Sequence, residues 1–320
     1  MAARVPRDPG IMNIVTASLL PLLLVVGPTG AQDTTPFHLS VNVDLVVLNA
    51  SVRDQKGRVA SYLREQDFEI FEDGVRQSIR LFSHEDIPVT VGLVIDHSGS
   101  MRPKMASVIA AARTFIQSSS PEDQMFVVNF NEDVTLGLST EIPFTNRPED
   151  LTYAISHSPP TGKTALYDAV WKAREWVARG SRDKKVLVVV SDGGDNASTH
   201  TLSEILEAAN KSNIQVFTIG IFDPDDPDKN PGVLRQLARA TGGEAFVPDE
   251  LSEVVAICES IAKDIRSQYT LGYLSNSVPL GRGYHTINVL ARGSAKAKLS
   301  VRTRSGYSNG SASGHKGGER

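Results

Sequence analysis

The stretch VGLVIDHSGSMRPKM, residues Val91 to Met105, contains the feature on which the interpretation of this sequence depends. An apolar run of strand character leads directly into Asp96. Ser98 and Ser100 follow before a helical pattern begins. A turn between a strand and a helix does not need a carboxylate and spaced hydroxyls. A bound cation or a nucleophilic site would need them, and the rest of the chain has to distinguish between the two.

Further strand and helix patterns follow this stretch. The runs VTVGLVI, QMFVVNF, KVLVVVSD, IQVFTIGI and EAFVPD include several that are continuously apolar, which is typical of strands buried on both faces of a parallel sheet. Between them, apolar residues recur at helical spacing. The two clearest helical stripes are Met105, Val108, Ile109, Ala112, Phe115 and Ile116, and Val254, Ile257, Cys258, Ile261 and Ile265. Repeated β-α units over residues 88–266 predict an α/β fold with a doubly wound, mostly parallel sheet.

The segments on either side, residues 32–87 and 267–307, have β character. Asp73-Gly74 lies between two strand-like runs and has the composition that tight hairpin turns favour. Neither flank alone is large enough to bury a core. We therefore expect the flanks to pack together as a small β-sandwich-like unit, with the α/β region inserted between them. The alternating apolar residues that indicate strands are Leu39, Val41, Val43, Leu45 and Val47, and Tyr269, Leu271 and Tyr273.

The two ends of the chain have distinctive compositions. Arg4 and Arg7 precede an apolar run from Ile14 to Val26, and small residues follow up to Ala31, which is the order of a secretory signal peptide over residues 1–31. The apolar run is shorter than the roughly 20 residues that a spanning helix needs. We expect an exported chain, periplasmic or extracellular, with no membrane span after cleavage. Residues 308–320 have the composition of a disordered tail.

The overall composition excludes some classes of function. Lys and Arg number 33 against 37 Asp and Glu, for a net charge of −4, so nothing indicates binding to nucleic acid. Cys258 is the only cysteine, which excludes an intrachain disulfide. Its place in an apolar helical stripe indicates a core side chain rather than a reactive thiol.

Two further segments bring polar residues to the same edge of the predicted sheet. VLVVVSDGGDN ends a strand at Asp192, and SPPTGKTALYDAV places Thr164 just before a helix. Since sites in open parallel sheets form outside the carboxyl ends of the strands, we expect Asp96, Ser98, Ser100, Thr164 and Asp192 to converge. All five offer oxygen, and no histidine or cysteine joins them at a recognisable spacing. The set predicts Mg²⁺, Mn²⁺ or Ca²⁺ rather than zinc.

These residues also carry a family resemblance. Asp96-His97-Ser98-Gly99-Ser100, followed by Thr164 and Asp192, resembles the metal-ion-dependent adhesion site (MIDAS) of von Willebrand factor type A (VWA) domains. The flanking segments DFEIFEDGVRQSIRLF, YTLGY and VRTRSGY resemble VWA-related proteins that are abundant in Acidobacteria. The resemblance implies a Rossmann-like domain that binds partner proteins through its metal ion and performs no catalysis.

The predicted ligands leave the ion incompletely coordinated. Mg²⁺ requires six ligands in near-octahedral geometry, and the hydroxyls of Ser98, Ser100 and Thr164 cannot fill the shell even with the carboxylates. Water or a partner's carboxylate would complete it. We therefore expect a protein partner that presents an Asp or Glu to the metal, with Lys163 and His97 as candidates for tuning specificity.

Other motifs in the sequence are weaker. TGKTAL resembles the end of a phosphate-binding loop, but His157 stands where that motif needs glycine. A nucleophile elbow at Ser98 would need glycine at Asp96 and Ser100. His97 adjoins Ser98 in the chain and is poorly placed to act as its base.

The remaining acidic residues have simpler interpretations. The loop from Asp223 to Gly232 fails the EF-hand pattern at Pro227 and is interpreted as a solvated turn. Asp168, early in its helix, is suited to complement the helix dipole, and it could also support the metal ligands. Two alternatives to an adhesion protein stay open at this point: a metal-dependent hydrolase, and a structural α/β scaffold whose metal site is degenerate.

Overall fold

The structure is a computed structural model, and it describes residues 45–223, 229–275, 283–293 and 298–308. The predicted signal peptide, the residues Leu39, Val41 and Val43, five residues of the acidic loop and all but the first residue of the predicted tail lie outside these ranges. That first residue, Ser308, ends a strand. No helix in the described ranges has both the length and the apolar character to cross a lipid bilayer.

The described residues form a series of strands and helices. The strands are β1 Leu45–Arg53, β2 Phe68–Glu72, β3 Val75–Gln77, β4 Ile79–Ser83, β5 Val89–Asp96, β6 Gln124–Phe130, β7 Val134–Leu136, β8 Lys184–Ser191, β9 Ile214–Gly220, β10 Ala245–Phe246, β11 Tyr269–Leu274, β12 Tyr284–Ala291, β13 Ser300–Arg302 and β14 Gly306–Ser308. The α-helices are α1 Met105–Ser118, α2 Pro148–Ser156, α3 Leu166–Val177, α4 Leu202–Asn210, α5 Pro231–Thr241 and α6 Val254–Arg266.

The central sheet has six strands in the order β10-β9-β8-β5-β6-β7. Strand β5 pairs in parallel with both β6 and β8, and only the short edge strand β7 runs antiparallel. This arrangement confirms the predicted α/β fold with a doubly wound, mostly parallel sheet. The sequence did not indicate β7, because three residues carry too little periodicity to be recognised as a strand.

Helices cover both faces of this sheet. All eight residues of β5 are buried, as the continuous apolar run predicted. Helices α1 and α6 pack on one face, and α3, α4 and α5 pack on the other. Both predicted helical stripes face the core, although Ile109 and Ile257 are only half-buried. Burial raises the pKa of the Cys258 thiol to about 12, which is consistent with a core side chain.

The flanking segments form two four-stranded antiparallel sheets, ordered β13-β1-β11-β4 and β14-β12-β2-β3. Each sheet combines strands from both sides of the α/β region, because β1 pairs with β11 and β2 pairs with β12. Apolar side chains from both sheets form one buried cluster, which includes Leu48, Ile70, Leu271 and Val289. The flanks therefore share a core, as their small size required.

The phase of strand β1 differs from the expected one. The prediction placed Leu45 and Val47 on the apolar face, but Leu45 is 45% exposed while Val46 and Leu48 are buried. The run LVVL offers apolar side chains to both faces of the strand. Residues further along the strand decide which face is buried, because Ala50 and Val52, which alternate in step with Val46 and Leu48, also face the shared core.

The predicted hairpin turn at Asp73-Gly74 is confirmed. Strands β2 and β3 pair in antiparallel register up to Glu72 and Val75. Asp73 has φ 49° and Gly74 has φ 81°. Positive φ at both central residues is the conformation that two-residue hairpin turns of this twist require, and the pair Asp-Gly tolerates it well.

A buried ion-pair network joins the flanking sheets to helix α6. Asp264 is 1% exposed, and its carboxylate accepts hydrogen bonds from Ser51 Oγ at 3.0 Å and from Arg53 Nη2 at 3.1 Å. Arg302 also donates to it. These partners come from β1 and β13, so Asp264 connects the end of α6 to both flanks. We call Asp264, Arg53 and Arg302 the junction cluster.

Candidate functional site

Asp96 ends strand β5 and is completely buried. Its Oδ1 accepts a hydrogen bond from the backbone N–H of Ser98 at 2.8 Å, and its Oδ2 accepts one from Ser191 Oγ at 2.6 Å. Ser191 is the last residue of the neighbouring strand β8. The carboxylate is therefore held by its own loop and by the adjacent strand.

A chain of short oxygen contacts runs from Ser98 along the edge of the central sheet at which β5 and β8 end. We call this edge, with the loops that follow the two strands, the rim. Ser98 Oγ lies 3.2 Å from Ser100 Oγ, and Ser100 Oγ donates to Asp192 Oδ2 at 2.5 Å. The second oxygen of Asp192 accepts from Gly194 N at 3.1 Å. Because β5 and β8 are adjacent parallel strands, their carboxyl ends bring together residues that are far apart in the chain. Four of the five predicted site residues are thus linked directly or through one neighbour.

Thr164, the fifth predicted residue, is 7% exposed and lies in the loop before α3. Its backbone N–H donates to Asn196 Oδ1 at 2.9 Å, and its carbonyl accepts from Asn196 N and Ala197 N at 3.0 Å each. The same loop is bonded to the first one, because Gly99 N donates to Gly162 O at 3.1 Å. Three loops therefore meet at the rim, one of which carries Thr164.

The electrostatics of the rim favour a bound cation. Burial, together with the nearby charge of Asp192, raises the pKa of Asp96 to about 6, although hydrogen bonds from Ser98 and Ser191 oppose that rise. Asp96 and Asp192 form no ion pair with any basic side chain among the residues that the structure describes. A divalent cation would supply the missing positive charge.

The donor set fits a hard divalent cation. Bond lengths of about 2.1 Å in an octahedral Mg²⁺ site place neighbouring ligand atoms about 3 Å apart. The contacts of 3.2 Å between Ser98 and Ser100 and of 2.5 Å between Ser100 and Asp192 lie on either side of that separation. Shifts of a few tenths of an ångström would bring these oxygens into a coordination shell.

His97 is not available to a partner, so the prediction that it tunes specificity at the surface is wrong. It is 1% exposed, and its Nε2 lies 3.1 Å from Asn129 Oδ1. Asn129 in turn donates to Ala154 O at 2.7 Å. Burial lowers the pKa of the His97 imidazole. The residue fastens the loop after β5 to β6 and α2, since side chains alternate across the chain as it leaves the strand.

Lys163 is exposed beside the rim, as expected for a residue that can contact a partner. Its backbone N–H donates to Glu132 Oε2 at 2.5 Å. The preceding Gly162 has φ 80°, and a Cβ there would lie 1.7 Å from the same Glu132 oxygen. Gly162 and Glu132 thus shape the Thr164 loop, and the sequence had indicated this role for neither residue.

Asp168 belongs to a neighbouring loop contact rather than to the oxygen chain. Its carboxylate accepts from the backbone N–H groups of Thr199 and His200 at 2.9 Å each, and it lies 2.6 Å from His200 Nδ1. Asp168 therefore fastens α3 to the segment before α4. Ser191 and Asn196 were not predicted from the sequence, although the polar residues of SDGGDN beside Asp192 were a usable signal.

The sequence model of the von Willebrand factor type A (VWA) domain family matches residues 90–259, which are more than half of the chain. The chain belongs to the VWA domain family. The matched range contains all but the first residue of β5, all of β8 and the rim described above, and it ends within helix α6.

Among curated proteins, this VWA chain is similar to inter-alpha-trypsin inhibitor heavy chain H2. The mouse protein is 28% identical over 202 residues, which are 58% of this chain and 20% of that protein. The golden hamster (Mesocricetus auratus) protein is 30% identical over 154 residues, 44% of this chain and 16% of that protein. The alignments thus span about a fifth of the length of these relatives or less.

Solved structures show the same fold at low sequence identity. A von Willebrand factor type A protein from Catenulispora acidiphila superimposes with a TM-score of 0.52 at 15% identity, covering 82% of this chain and 74% of that one. Proximal thread matrix protein 1 of the mussel byssus superimposes with a TM-score of 0.50 at 16% identity, covering 61% and 51%. These likenesses establish the fold alone.

Proposed function

We propose that this VWA chain holds one divalent cation at the rim and binds a partner protein through that ion, as a MIDAS does. The proposed ligands are Asp96, Ser98, Ser100, Thr164 and Asp192. The observation that carries the proposal is the continuous path of short oxygen contacts between the ends of β5 and β8, around buried carboxylates that have no basic partner among the described residues.

The all-oxygen donor set selects the class of ion. Hydroxyl and carboxylate oxygens are hard ligands, which suit Mg²⁺ and also accept Mn²⁺ or Ca²⁺. The ligands proposed here would leave at least one coordination position to water. A partner's Asp or Glu would replace that water, because a carboxylate oxygen is the hard anionic ligand that the site lacks.

The surface around the rim is suited to such a partner. Gly99, Gly162 and Lys163 are exposed, so a protein can approach the loops that carry the proposed ligands. A metal-dependent hydrolase would need a base or nucleophile near the ion, and His97, the histidine beside Ser98, contacts Asn129 instead. We therefore propose a non-enzymatic adhesion or interaction protein. Export through residues 1–31 and the relationship to the Acidobacteria type remain part of this proposal.

Calorimetric titration of the chain without residues 1–31 tests the metal site directly. Mg²⁺ or Mn²⁺ should bind with one equivalent, and Asp192→Asn should lose that binding because it removes a charged ligand. Asp123→Asn is the matched control. Asp123 is 7% exposed and accepts from Val89 N at 2.9 Å, at the opposite end of the sheet. Equal binding by wild type and Asp192→Asn would place the ion elsewhere.

Affinity capture tests the partner. The immobilised chain is exposed to extract from its source in Mg²⁺ and, in parallel, in EDTA. A specific partner should be retained only with Mg²⁺, and substituting its exposed Asp and Glu residues one at a time should identify the side chain that reaches the ion. A partner retained equally in EDTA would instead support the structural scaffold.

A further inference from the structure

A second set of metal-ligating side chains lies in the flanking sheets. Glu72 ends β2, Asp73 follows it in the hairpin turn, and His285 lies on β12. One potential ligand atom from each of these three residues lies within 4.8 Å of the other two. His285 Nδ1 is 2.8 Å from Asp73 Oδ2 and 3.7 Å from Glu72 Oε1. We call these three residues the hairpin cluster.

We propose that the hairpin cluster binds a second divalent cation of the Zn²⁺ class. An imidazole nitrogen with two carboxylate oxygens is a donor set that zinc uses in proteins, with water in the fourth position. Four ligands at about 2.0–2.2 Å in tetrahedral geometry lie about 3.4 Å apart. The distances of 2.8 Å and 3.7 Å lie on either side of that value, so small shifts would accommodate an ion.

Neighbouring groups already orient two of the three ligands. Thr286 donates to Asp73 Oδ1 from its backbone N–H at 2.8 Å and from its hydroxyl at 3.0 Å, which leaves Oδ2 directed at His285. Ser275 Oγ donates to Glu72 Oε1 at 2.7 Å. Hydrogen bonds that fix the orientation of a ligand in this way are typical of metal sites in proteins.

Burial and access are also suited to an ion. The Glu72 side chain is fully buried and that of His285 is 12% exposed, whereas the Asp73 side chain is 43% exposed. Ion entry is possible from the Asp73 side, where water can complete the shell. The cluster contains nitrogen and therefore differs from the rim, so the two sites should prefer different ions.

Zinc titration of the untagged chain without residues 1–31 tests the proposal. His285→Gln keeps a polar side chain but removes the imidazole, and His157→Gln is the matched control at an exposed histidine outside both sites. In EDTA, wild type and both variants should unfold at similar temperatures. Added Zn²⁺ should raise the Tm of wild type and His157→Gln, and His285→Gln should bind one equivalent fewer by calorimetry.

A second variant covers the case in which His285→Gln does not fold. Asp73→Asn preserves the turn, because Asn also tolerates positive φ, while the charged ligand is lost. Equal zinc stoichiometry in Asp73→Asn and wild type would overturn the proposal. Ser98→Ala/Ser100→Ala separates the two sites. Should the rim bind no ion at all, this double variant would leave zinc stoichiometry unchanged while Asp73→Asn would still reduce it.

Discussion

The rim and the junction cluster both contain buried carboxylates, at opposite ends of the central sheet, but their surroundings differ. At the junction, Asp264 is compensated by Arg53 and Arg302 and by the hydroxyl of Ser51. At the rim, Asp96 and Asp192 are bonded only to hydroxyls and backbone N–H groups among the described residues. A buried carboxylate that is paired with basic side chains holds the fold together, whereas a buried carboxylate without such partners is available to a cation from solution.

Replacing Asp264 should have the largest effect on stability. Asp264→Ala removes the buried partner of two guanidinium groups, which keep Glu244 at 4.0 Å from Arg53 and 3.4 Å from Arg302. Breaking a fully buried pair costs roughly 3–5 kcal/mol, and we expect a loss near the lower end of that range because Glu244 compensates in part. Urea denaturation would measure this as a lower free energy of unfolding, while the affinity for Mg²⁺ should be unchanged. Asp54→Ala, which removes a carboxylate paired with Arg58 on the surface, is the control and should have little effect. A loss of Mg²⁺ affinity in Asp264→Ala would show that the two ends of the sheet are coupled.

Replacing Asp96 should have the opposite effect on stability. A pKa raised from 3.8 to about 6 means that the ionised carboxylate destabilises the metal-free fold by about 3 kcal/mol at neutral pH. In EDTA, Asp96→Asn should therefore be more stable than wild type at pH 7 and should no longer bind Mg²⁺. A lower stability of Asp96→Asn under these conditions would mean that the carboxylate contributes to the fold as Asp264 does.

The pH dependence of that difference follows from the same shift. Below pH 3.8 the Asp96 carboxyl is protonated in both the folded and unfolded chains, so its ionisation does not lower the stability of wild type. Between pH 3.8 and about 6 the unfolded chain ionises first, and the stability of wild type falls relative to Asp96→Asn. Urea denaturation of both proteins across this range would measure the change. Saturating Mg²⁺ at pH 7 should remove the disadvantage of wild type.

Removing one hydroxyl ligand should have a moderate effect. Ser100→Ala should weaken Mg²⁺ binding about tenfold, or about 1.4 kcal/mol, because water replaces the hydroxyl in the shell. Stability in EDTA should hardly change, since Ser100 is only partly buried. The control is Ser119→Ala, which removes a hydroxyl that donates to Phe115 O at the end of α1. Unaltered calorimetric affinity in Ser100→Ala would exclude Ser100 as a ligand.

The smallest effect is expected at Lys163. Its charge lies beside the rim and is exposed, so Lys163→Ala should weaken binding of an acidic partner by less than about 1 kcal/mol, mainly through slower association. Mg²⁺ affinity should be unchanged. Surface plasmon resonance at low and physiological salt would measure the rates. An effect of equal size at both salt concentrations would mean that Lys163 makes a desolvated contact instead.

The sequence by itself determined the features that depend on local pattern. The continuous apolar runs predicted the buried parallel strands, and helical stripes predicted the core faces of α1 and α6. The pair Asp73-Gly74 predicted its hairpin turn, because only a few residue types tolerate positive φ. The spacing around Asp96 predicted a rim location, since strand ends in a parallel sheet share one edge.

Tertiary structure alone decided which side chains meet across the chain and which become buried. The phase of β1 depended on packing against the second flanking sheet, since the run LVVL suits either face. His97 became a core residue because a strand end placed it against Asn129. Asp264 and Arg53, like Glu72 and His285, meet only because antiparallel pairing joins segments more than 200 residues apart. No local periodicity encodes such a contact, because it depends on the register between distant strands.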